Sequence, residues 1–299
     1  MKEKLTSCPV CKKSAFSDYL EVQDHFLSKE NFIIQSCDGC GFRFVNPRPG
    51  ADDIGGYYQS DAYISHGVKK QDLVSIIYRQ VRIFSIRKKF RIIRSLQPSG
   101  NILDIGCGTG EFLAYCRSRN YAVQGIEPSE KAREFAVSVN GISVSEKLDA
   151  TLFKPGTFNC ITMWHVLEHV HELDLTIDTI KSLLAPGGIF IAAVPNSNSW
   201  DASRYKNYWA AYDVPRHLYH FTSETMQTLA KRKGFAILKT IPQKLDAYYV
   251  TMLSEKYRTG RTNYINMMIY GFWSNFRAKT GGKGHSSLIF ILSPEKAQF

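Results

Sequence analysis

The residues with the clearest chemistry form one run, I-L-D-I-G-C-G-T-G, at residues 102–110. An apolar segment followed by Gly106, Gly108 and Gly110 predicts a buried strand that ends in a tight turn opening a helix. Loops that bind the pyrophosphate of dinucleotides are spaced G-x-G-x-x-G and usually have an apolar residue where this chain has Asp104. A carboxylate there would repel phosphate and attract an ammonium group, so the run predicts a cationic ligand without phosphate.

S-adenosylmethionine (SAM) has this character, because it carries an α-ammonium group and a sulfonium but no phosphate. A second acid supports the same ligand. Glu127 ends the next predicted strand, about twenty residues beyond the glycine turn, where a carboxylate can accept hydrogen bonds from both ribose hydroxyls. The alternative is that Glu127 only precedes the helix that follows Pro128. We predict SAM as the cofactor.

Four of the seven cysteines form two C-x-x-C pairs near the N-terminus, Cys8 with Cys11 and Cys37 with Cys40. Two such pairs can place four thiolates tetrahedrally around zinc, which binds sulfur at about 2.3 Å. Four protein ligands leave no open position, so the predicted Zn²⁺ is structural and not catalytic. The alternatives are four reduced cysteines or adventitious disulfides. Metal binding could supply on the order of 10 kcal/mol of folding free energy to so small a segment.

Five of the eight histidines fall within residues 164–171 and 213–221. The first segment follows a predicted strand, and in an open α/β sheet ligands bind at the carboxyl ends of the strands. A single histidine is more often structural than catalytic, but a cluster beside a predicted cofactor favours at least one functional imidazole. We predict His217 as the catalytic base, with His165 as the second candidate.

The elements that position these residues alternate as strands and helices from Asn101 onward. Near-continuously apolar strands are typical of a parallel sheet covered on both faces, so the predicted fold is a doubly wound α/β domain. The predicted strands cover residues 102–105, 122–126, 142–144, 158–163, 189–194, 235–241 and 287–292. The predicted helices cover residues 111–119, 129–139, 173–184 and 223–233, with Ser129 and Ser223 as N-caps.

Breaks in this pattern suggest three segments. Residues 1–50 form the predicted zinc-binding module, which ends at a proline-rich break. Residues 51–100 hold a tyrosine-rich segment and a basic helix that would cap or link the modules. Residues 101–299 form the α/β domain, with a helical insertion at about 246–280 that is too long for a plain loop.

The chain is basic, with a net charge of +11 and a pI near 9.2. Nine Lys and Arg residues and a single acid, Asp72, lie between Lys69 and Arg94, interleaved with apolar residues at helical spacing. Such a helix could contact nucleic acid, anionic lipid or a phosphorylated substrate. The interpretation we favour is an amphipathic helix that docks on a core and leaves its cationic face in solvent.

The sequence also bears on the compartment. Residues 1–7 are polar and precede any apolar run, which argues against a signal peptide, and no stretch of about 18 apolar residues predicts a membrane span. An odd number of cysteines, three of them isolated, does not suit a disulfide framework. We therefore expect a reducing, cytoplasmic location, whereas the oligomeric state is left open.

The motifs together resemble the class I SAM-dependent methyltransferases of the type 23 family, over roughly residues 51–243. The resemblance lies in the glycine run, in W-H-V-L-E-H at 164–169, in Pro186-Gly187-Gly188 and in Val194-Pro195-Asn196. The paired cysteines, followed by Pro47-Arg48-Pro49 and a tyrosine cluster, resemble the N-terminal module of sugar C-methyltransferases.

This resemblance implies a Rossmann-like sheet of seven mostly parallel strands and a complete set of cofactor contacts. It places adenine contacts near Leu148 and Asp149, and it makes His217 the base, with Arg216 where those relatives carry an acid. The residues predicted to contact the cofactor are Asp104, Gly106, Cys107, Gly108, Gly110, Glu127, Pro128, Leu148, Asp149, Trp164, Tyr58 and Tyr63.

The predicted function is methyl transfer from SAM to a small-molecule acceptor such as a sugar, a nucleotide-sugar or a biosynthetic intermediate. A first alternative is a zinc-containing rRNA or tRNA methyltransferase, which the net charge of +11 would suit. A second alternative is a SAM-binding protein without catalysis.

Overall fold

A computed structural model describes residues 2–58, 73–281 and 283–295, without the side chains of residues 73–79. The chain divides into two compact units. One unit comprises Met1–Ser60, His165–Asp174 and Ala192–Glu295, and the other comprises Asp61–Trp164, Leu175–Ile191 and Lys296–Phe299.

The described residues contain strands and helices in the following order. The strands are β1 (Lys2–Glu3), β2 (Phe16–Gln23), β3 (Asn31–Cys37), β4 (Arg43–Val45), β5 (Arg48–Pro49), β6 (Asn101–Ile105), β7 (Ala122–Ile126), β8 (Val144–Ser145), β9 (Phe158–Trp164), β10 (Leu184–Pro195), β11 (Tyr219–His220), β12 (Phe235–Pro242) and β13 (Ser287–Pro294). The helices are α1 (Leu73–Leu96), α2 (Glu111–Arg117), α3 (Glu130–Ser138), α4 (Leu173–Leu183), α5 (Trp200–Tyr205), α6 (Ser223–Arg232), α7 (Asp246–Thr259) and α8 (Tyr264–Thr280).

The central sheet has seven strands in the order β12-β13-β10-β9-β6-β7-β8, which confirms the predicted Rossmann-like fold. Strand β6 pairs in parallel with both β7 and β9, and β12 pairs antiparallel with β13. The apolar side chains of β6 and β9 are buried, as expected for central parallel strands. Because successive parallel strands point the same way, their carboxyl ends lie at one edge of the sheet.

Two predicted boundaries are wrong in detail. Strand β8 lies at Val144–Ser145 and not at 142–144, because Ile142 is already engaged through its amide with the carbonyl oxygen of Ala136 at the end of α3. The N-cap of α6 is Thr222, whose side chain accepts a hydrogen bond from the amide of Thr225 in a capping box, so Ser223 is the first helical residue. Ser129 caps α3 as predicted.

The basic segment forms helix α1, which packs through part of its apolar face. Phe90 and Ile93 are buried, and the Phe90 ring makes edge contacts with Tyr115 and Tyr121. Arg82 forms an ion pair with Glu111 at 2.7 Å. Among the described side chains the apolar face is only partly covered by protein, because Val81 and Phe84 are 45% and 52% exposed.

The N-terminal strands do not form a compact unit of their own. β2, β3 and β4 are antiparallel and are extended by β11, where Tyr219 pairs with Phe44. Arg48 is buried and donates from Nη1 to the Tyr219 hydroxyl at 2.8 Å. Backbone pairing thus joins the N-terminal strands to a segment far away in the sequence.

The predicted helical insertion is present as α7 and α8. Its Ser254 is buried and accepts a hydrogen bond from the Ala210 amide at 2.9 Å, and Gly271 allows close approach, since a Cβ there would lie 2.5 Å from the ring of Tyr248. In the described residues, no helix is long and apolar enough to cross a membrane.

A buried carboxylate, Asp201, holds part of this insertion in place. It accepts hydrogen bonds from Trp209 Nε1 at 2.8 Å, Ser274 Oγ at 2.8 Å and Ser286 Oγ at 2.7 Å. We expect Asp201→Ala to lower the free energy of unfolding by about 3–5 kcal/mol, because three buried donors lose their acceptor. Urea denaturation followed by circular dichroism measures this change. Asp52→Ala, an exposed control, should cost under about 0.5 kcal/mol, and an equally small cost for Asp201→Ala would refute the assignment.

Candidate functional site

The glycine turn after β6 has the backbone geometry that its sequence predicts. Gly106, Gly108 and Gly110 have φ values of 74°, 55° and 75°, a region that favours glycine because other residues are strained there. A Cβ placed on Gly108 would meet no atom within 4 Å. The turn therefore leaves open space beside its backbone, which suits the close approach of a ligand.

Asp104 lies at the end of β6 but is deeply buried, with 3% of its surface exposed. Thr162 Oγ1 donates a hydrogen bond to its Oδ1 at 2.5 Å. Burial raises the pKa of Asp104 to about 7, against the opposing effects of that hydrogen bond and of the Lys89 charge. Without a ligand, its ionised form is therefore favoured less than the sequence suggests.

This pKa predicts how SAM binding depends on pH. A cationic ligand favours ionised Asp104, and the protonated fraction of a group with a pKa of about 7 falls as the pH rises towards 7. Affinity should therefore increase by up to tenfold per unit between about pH 5.5 and about pH 7. Calorimetric titration with SAM across this range tests it. Asp104→Asn has no carboxyl group to titrate, so an unchanged pH slope in that variant would exclude Asp104 as the cause.

Glu127 ties the glycine turn to the end of β7. Its Oε2 accepts a hydrogen bond from the Gly108 amide at 2.8 Å, and its Oε1 accepts one from the Ser129 amide at 2.9 Å. The side chain is half-buried, and Pro128 beside it is exposed. Glu127 therefore has a structural role on both sides. It accepts from the segment that leads into α3, and it also holds the glycine turn in place. Its contact with ribose stays a prediction.

Gly125, which lies in β7 beside the glycine turn, was not among the predicted site residues. A Cβ at this position would lie 2.5 Å from Cys107 Sγ and 3.2 Å from Leu113, so only glycine lets the turn pack on the strand. Burial raises the pKa of the Cys107 thiol, which makes the thiol a poor nucleophile. The position of Gly125 inside an apolar strand could have indicated this role, because a glycine in a strand often marks a close backbone approach.

Three other residues predicted to contact the cofactor, Trp164, Asp149 and Leu148, lie in the same unit. Trp164 is buried at the end of β9, with its ring edge-on to Phe112 and the Lys89 ammonium 4.7 Å from its ring centroid. Among the described residues, its indole N–H has no hydrogen-bond partner. Asp149 is exposed and caps a 3-10 turn by accepting from the Thr151 amide at 2.8 Å, which lowers the pKa of Asp149. Leu148 is half-buried.

The histidine groups lie in the unit that contains the N-terminal strands. His165 has a φ of 58°, and its Nε2 lies 3.1 Å from Asp246 Oδ2 and 2.8 Å from Gln243 Nε2. Desolvation opposes protonation, but Asp246 and Glu168 prevail and raise the pKa of His165 to about 10. At neutral pH the ring is protonated. It suits charge stabilisation better than proton removal.

His217 has a different environment. Its Nδ1 donates to the carbonyl oxygen of Ala211 at 2.8 Å, because a carbonyl can only accept. In the neutral ring this places the proton on Nδ1 and the lone pair on Nε2, which lies 4.0 Å from Asp213 Oδ2. The His169 ring lies edge-on to His217 at 4.6 Å, and the Tyr58 hydroxyl lies 2.8 Å from His169 Nδ1. Tyr63 lies outside the described residues.

Arg216 does not simply replace an acid beside His217. It is buried and forms ion pairs with Asp24 at 2.9 Å and with Asp213 at 2.6 Å. The pair with Arg216, together with backbone amides such as that of Ser28, outweighs the desolvation of Asp24 and lowers the pKa of Asp24 to about 2. Neither acid was predicted to matter, and no local pattern marks Asp24, because its partner lies far away in the sequence.

The four predicted zinc ligands come together. Ligand atoms of Cys8, Cys11, Cys37 and Cys40 lie within 4.8 Å of one another, and the Sγ–Sγ distances are 3.7 Å for Cys8–Cys40 and 3.5 Å for Cys11–Cys37. All four are free thiols and not disulfides. Each pair lies in a turn closed by a backbone hydrogen bond. The Lys12 amide donates to the Cys8 carbonyl, and the Gly41 amide donates to the Cys37 carbonyl. This arrangement fits a tetrahedral S₄ ion.

The sheet order and the glycine turn define the class of the protein: its fold is that of the class I SAM-dependent methyltransferases. The family follows from the sequence profile of a methyltransferase domain, type 23, which matches residues 77–240 and so more than half of the chain. The chain belongs to this family, as its motifs predict.

Individual relatives match a shorter stretch. The chain is 36% identical over 104 residues to a ubiquinone biosynthesis O-methyltransferase of Agrobacterium fabrum, which covers 32% of this chain and 40% of the relative. It is 32% identical over 105 residues to a protein of the same name from Colwellia psychrerythraea, covering 32% of this chain and 42% of that one. The match thus spans about two fifths of the length of these curated relatives.

A solved structure agrees in fold. The phosphoethanolamine N-methyltransferase 2 of Haemonchus contortus, in complex with SAM, superposes with a TM-score of 0.51. The superposition covers 94% of this chain and 69% of the other, with 15% sequence identity. At this identity the likeness shows the fold alone.

Proposed function

We propose that this protein transfers the methyl group of SAM to a hydroxyl group of a small-molecule acceptor. The observation that carries the proposal is the glycine turn after β6, with its open backbone at Gly108 and with Asp104 and Glu127 around it, in a chain of the methyltransferase family. The names of the relatives, O-methyltransferases of ubiquinone biosynthesis, support an oxygen acceptor and a biosynthetic intermediate.

The cofactor would be held mainly by one unit of the chain. Gly106, Gly108 and Gly110 let its amino-acid part approach the backbone, Asp104 attracts the ammonium group, and Glu127 exchanges its bond to the loop for the ribose hydroxyls. The further proposed contacts are Cys107, Pro128, Leu148, Asp149, Trp164, Tyr58 and Tyr63.

The chain's own contribution to the reaction would be orientation, exclusion of water and proton removal. SAM supplies an already activated methyl group when it is bound. His217 is the proposed base, because its Nδ1–H is fixed on the Ala211 carbonyl and its Nε2 keeps a lone pair for the acceptor proton. His165, held between Asp246 and Glu168, would stabilise negative charge that develops on the acceptor oxygen.

We also propose that the cysteine cluster binds a structural Zn²⁺ and that residues 1–50 serve as a module like that of sugar C-methyltransferases. The distances between the thiols support the zinc ion. The module shares a sheet with β11, two residues after His217. Its ordering would therefore support the backbone that presents the proposed base. The first acceptors to test are hydroxylated metabolites, including nucleotide-sugars.

The test is an assay of S-adenosylhomocysteine release with the purified full-length chain. The acceptor panel contains hydroxylated aromatic acids, nucleotide-sugars and bulk RNA. SAM binding by calorimetry, together with turnover on a hydroxylated small molecule, supports the proposal. SAM binding without turnover on any acceptor favours the SAM-binding protein without catalysis. Absence of SAM binding overturns the proposal altogether.

RNA is the second candidate acceptor, because the net charge is +11. Turnover on RNA, with an affinity that falls steeply as salt rises, would favour it over a small molecule.

A further inference from the structure

We propose that Glu168, His169 and His217 form a binding site for a divalent metal ion, separate from the cysteine cluster. One candidate ligand atom from each of the three residues lies within 4.8 Å of the other two. Small side-chain rotations would bring such atoms to within about 2.0–2.2 Å of one ion. Two imidazoles and one carboxylate are a ligand set used by zinc and by iron(II), with coordination positions left open.

The two imidazoles are already in the form that a metal requires. His217 Nδ1 lies 2.8 Å from the Ala211 carbonyl oxygen, and His169 Nδ1 lies 3.0 Å from the Arg216 carbonyl oxygen. Each Nδ1 therefore donates to a carbonyl oxygen, and in the neutral ring the lone pair is on Nε2, the nitrogen left for a metal ion. Backbone carbonyls orient metal-binding histidines in this way in many proteins.

Glu168 supplies the second, independent observation. Its side chain is completely buried, and within the described part of the chain neither carboxylate oxygen has a hydrogen-bond partner. The nearest cationic group is the His165 ring, whose Nδ1 lies 3.5 Å from Oε1. The His165 ring at 3.5 Å balances part of the charge of Glu168. The carboxylate still lacks close hydrogen bonds, which is costly for a buried group, and a bound cation would supply them.

The backbone holds the ligands together before any ion binds. The Leu218 amide donates to the Glu168 carbonyl at 2.8 Å, which joins the two segments that carry the ligands. Glu168 and His169 are consecutive residues, and both lie in the 3-10 turn Leu167–His169. The site is thus built from short segments fixed by main-chain bonds, which reduces the entropy that binding must cost.

The ion would share side chains with the proposed methyl transfer but does not depend on it. A hydroxyl oxygen bound to a divalent cation loses its proton to water more readily, since the cation stabilises the oxyanion. The Nε2 lone pair of His217 would then bind the ion, and the ion would take over the activation that the free imidazole otherwise provides. An acceptor with a hydroxyl group, or two adjacent ones, fits such a site best.

The experiment is calorimetric titration with Mn²⁺ of the full-length chain carrying a single equivalent of zinc, which the four thiolates bind, in the absence of SAM and acceptor. Mn²⁺ prefers nitrogen and oxygen ligands over thiolates, so the cysteine cluster should not interfere. We expect one site, and a loss of affinity on the order of 100-fold in Glu168→Gln and in His217→Gln. His285→Gln removes a half-buried histidine outside the cluster and should leave binding unchanged.

Two results would overturn the proposal: no Mn²⁺ binding by the wild type, or equal binding by wild type and Glu168→Gln. Circular dichroism identifies variants that fail to fold, and His217→Gln provides the second independent test. Since the assay contains no SAM, its failure would leave methyl transfer intact. Likewise, a chain that fails to transfer methyl groups could still bind Mn²⁺, and the metal-site proposal would then stand.

A different observation carries a second proposal: helix α8 is a docking surface for anionic lipid. Its exposed face is almost wholly apolar and aromatic. The exposed residues are Tyr264, Ile265, Met268, Ile269, Phe272, Trp273 and Phe276, each between 42% and 72% exposed. They recur at helical spacing and form one continuous stripe, far more apolar surface than a helix in contact with water usually presents.

The charges around this stripe indicate a lipid surface as its partner. Residues 256–294 contain no Asp or Glu and six Lys or Arg. Arg261 precedes the helix, and Arg277, Lys279 and Lys283 lie at or beyond its last turn, whereas the charge of Arg258 is balanced by Glu255 at 2.8 Å. An apolar face with aromatic side chains between basic ends is typical of helices that lie in the headgroup region of anionic membranes.

Flotation with phosphatidylcholine vesicles, with and without phosphatidylglycerol, tests this surface. We expect the wild type to bind the anionic vesicles, with binding weakened by salt, and Phe272→Asp/Phe276→Asp to reduce binding at least tenfold. Leu152→Asp/Val139→Asp changes two exposed apolar residues elsewhere and should bind as the wild type does. Absence of vesicle binding, or a stable dimer that the Phe272→Asp/Phe276→Asp variant abolishes while vesicles are ignored, would overturn the proposal.

Discussion

Cys37→Ser is expected to remove zinc from the protein and to unfold its N-terminal strands. Cys37 is buried at the end of β3, and its carbonyl and amide groups form the turn that carries Cys40. Loss of one thiolate from an S₄ site lowers metal affinity severely, and structural zinc supplies on the order of 10 kcal/mol to small modules. We therefore expect about one equivalent less zinc by elemental analysis and a large fall in thermal stability.

Cys116→Ser is the matched control. Cys116 is also a fully buried free thiol, but it lies in α2, outside the cluster. Its replacement should cost only about 1–3 kcal/mol and leave the zinc content unchanged. If the wild type contains no zinc after expression with zinc, and chelation leaves its melting temperature unaltered, the four cysteines are merely reduced thiols.

His217→Ala is expected to lower kcat by about 100-fold to 10,000-fold while SAM binds as before. The variant loses the one imidazole whose Nδ1 is fixed on a backbone carbonyl at Ala211 and whose Nε2 is proposed to accept the acceptor proton. The measurement is steady-state release of S-adenosylhomocysteine with the best acceptor, beside calorimetry with SAM. Unchanged turnover with intact SAM binding would exclude His217 as a base.

His25→Gln serves as the comparison for this variant. His25 lies in the same unit but stacks between Tyr208 and Tyr257, at ring distances of 5.4 Å and 4.9 Å. It should retain most of the activity. The Mn²⁺ titration described above distinguishes loss of a free base from loss of a metal ligand, because only the second changes metal affinity.

The sequence predicted the features that depend on local patterns. The glycines at 106, 108 and 110 signalled a turn that needs positive φ values, and the apolar runs around them signalled parallel strands. The C-x-x-C spacing signalled four thiols that converge. In each case a short segment contains the whole physical requirement, so its residues can be interpreted without knowing the rest of the chain.

Other parts of the site could not be predicted, because burial and distant partners control them. Asp104 was correctly placed on its strand, yet only the structure shows that burial raises its pKa to about 7. Arg216 seemed to be a substitution for an acid, whereas it neutralises Asp24 from another part of the chain. His165 was a candidate base until Asp246, from the helical insertion, proved to be its neighbour.

Local sequence thus specifies the class of fold, the glycine turn and the paired cysteines, since backbone conformation and hydrophobic periodicity depend on neighbouring residues. Only the tertiary structure decided which charges face each other and which lone pairs stay available. Glu168 and His217 illustrate this, because a main-chain bond between their segments brings together side chains that no spacing rule connects.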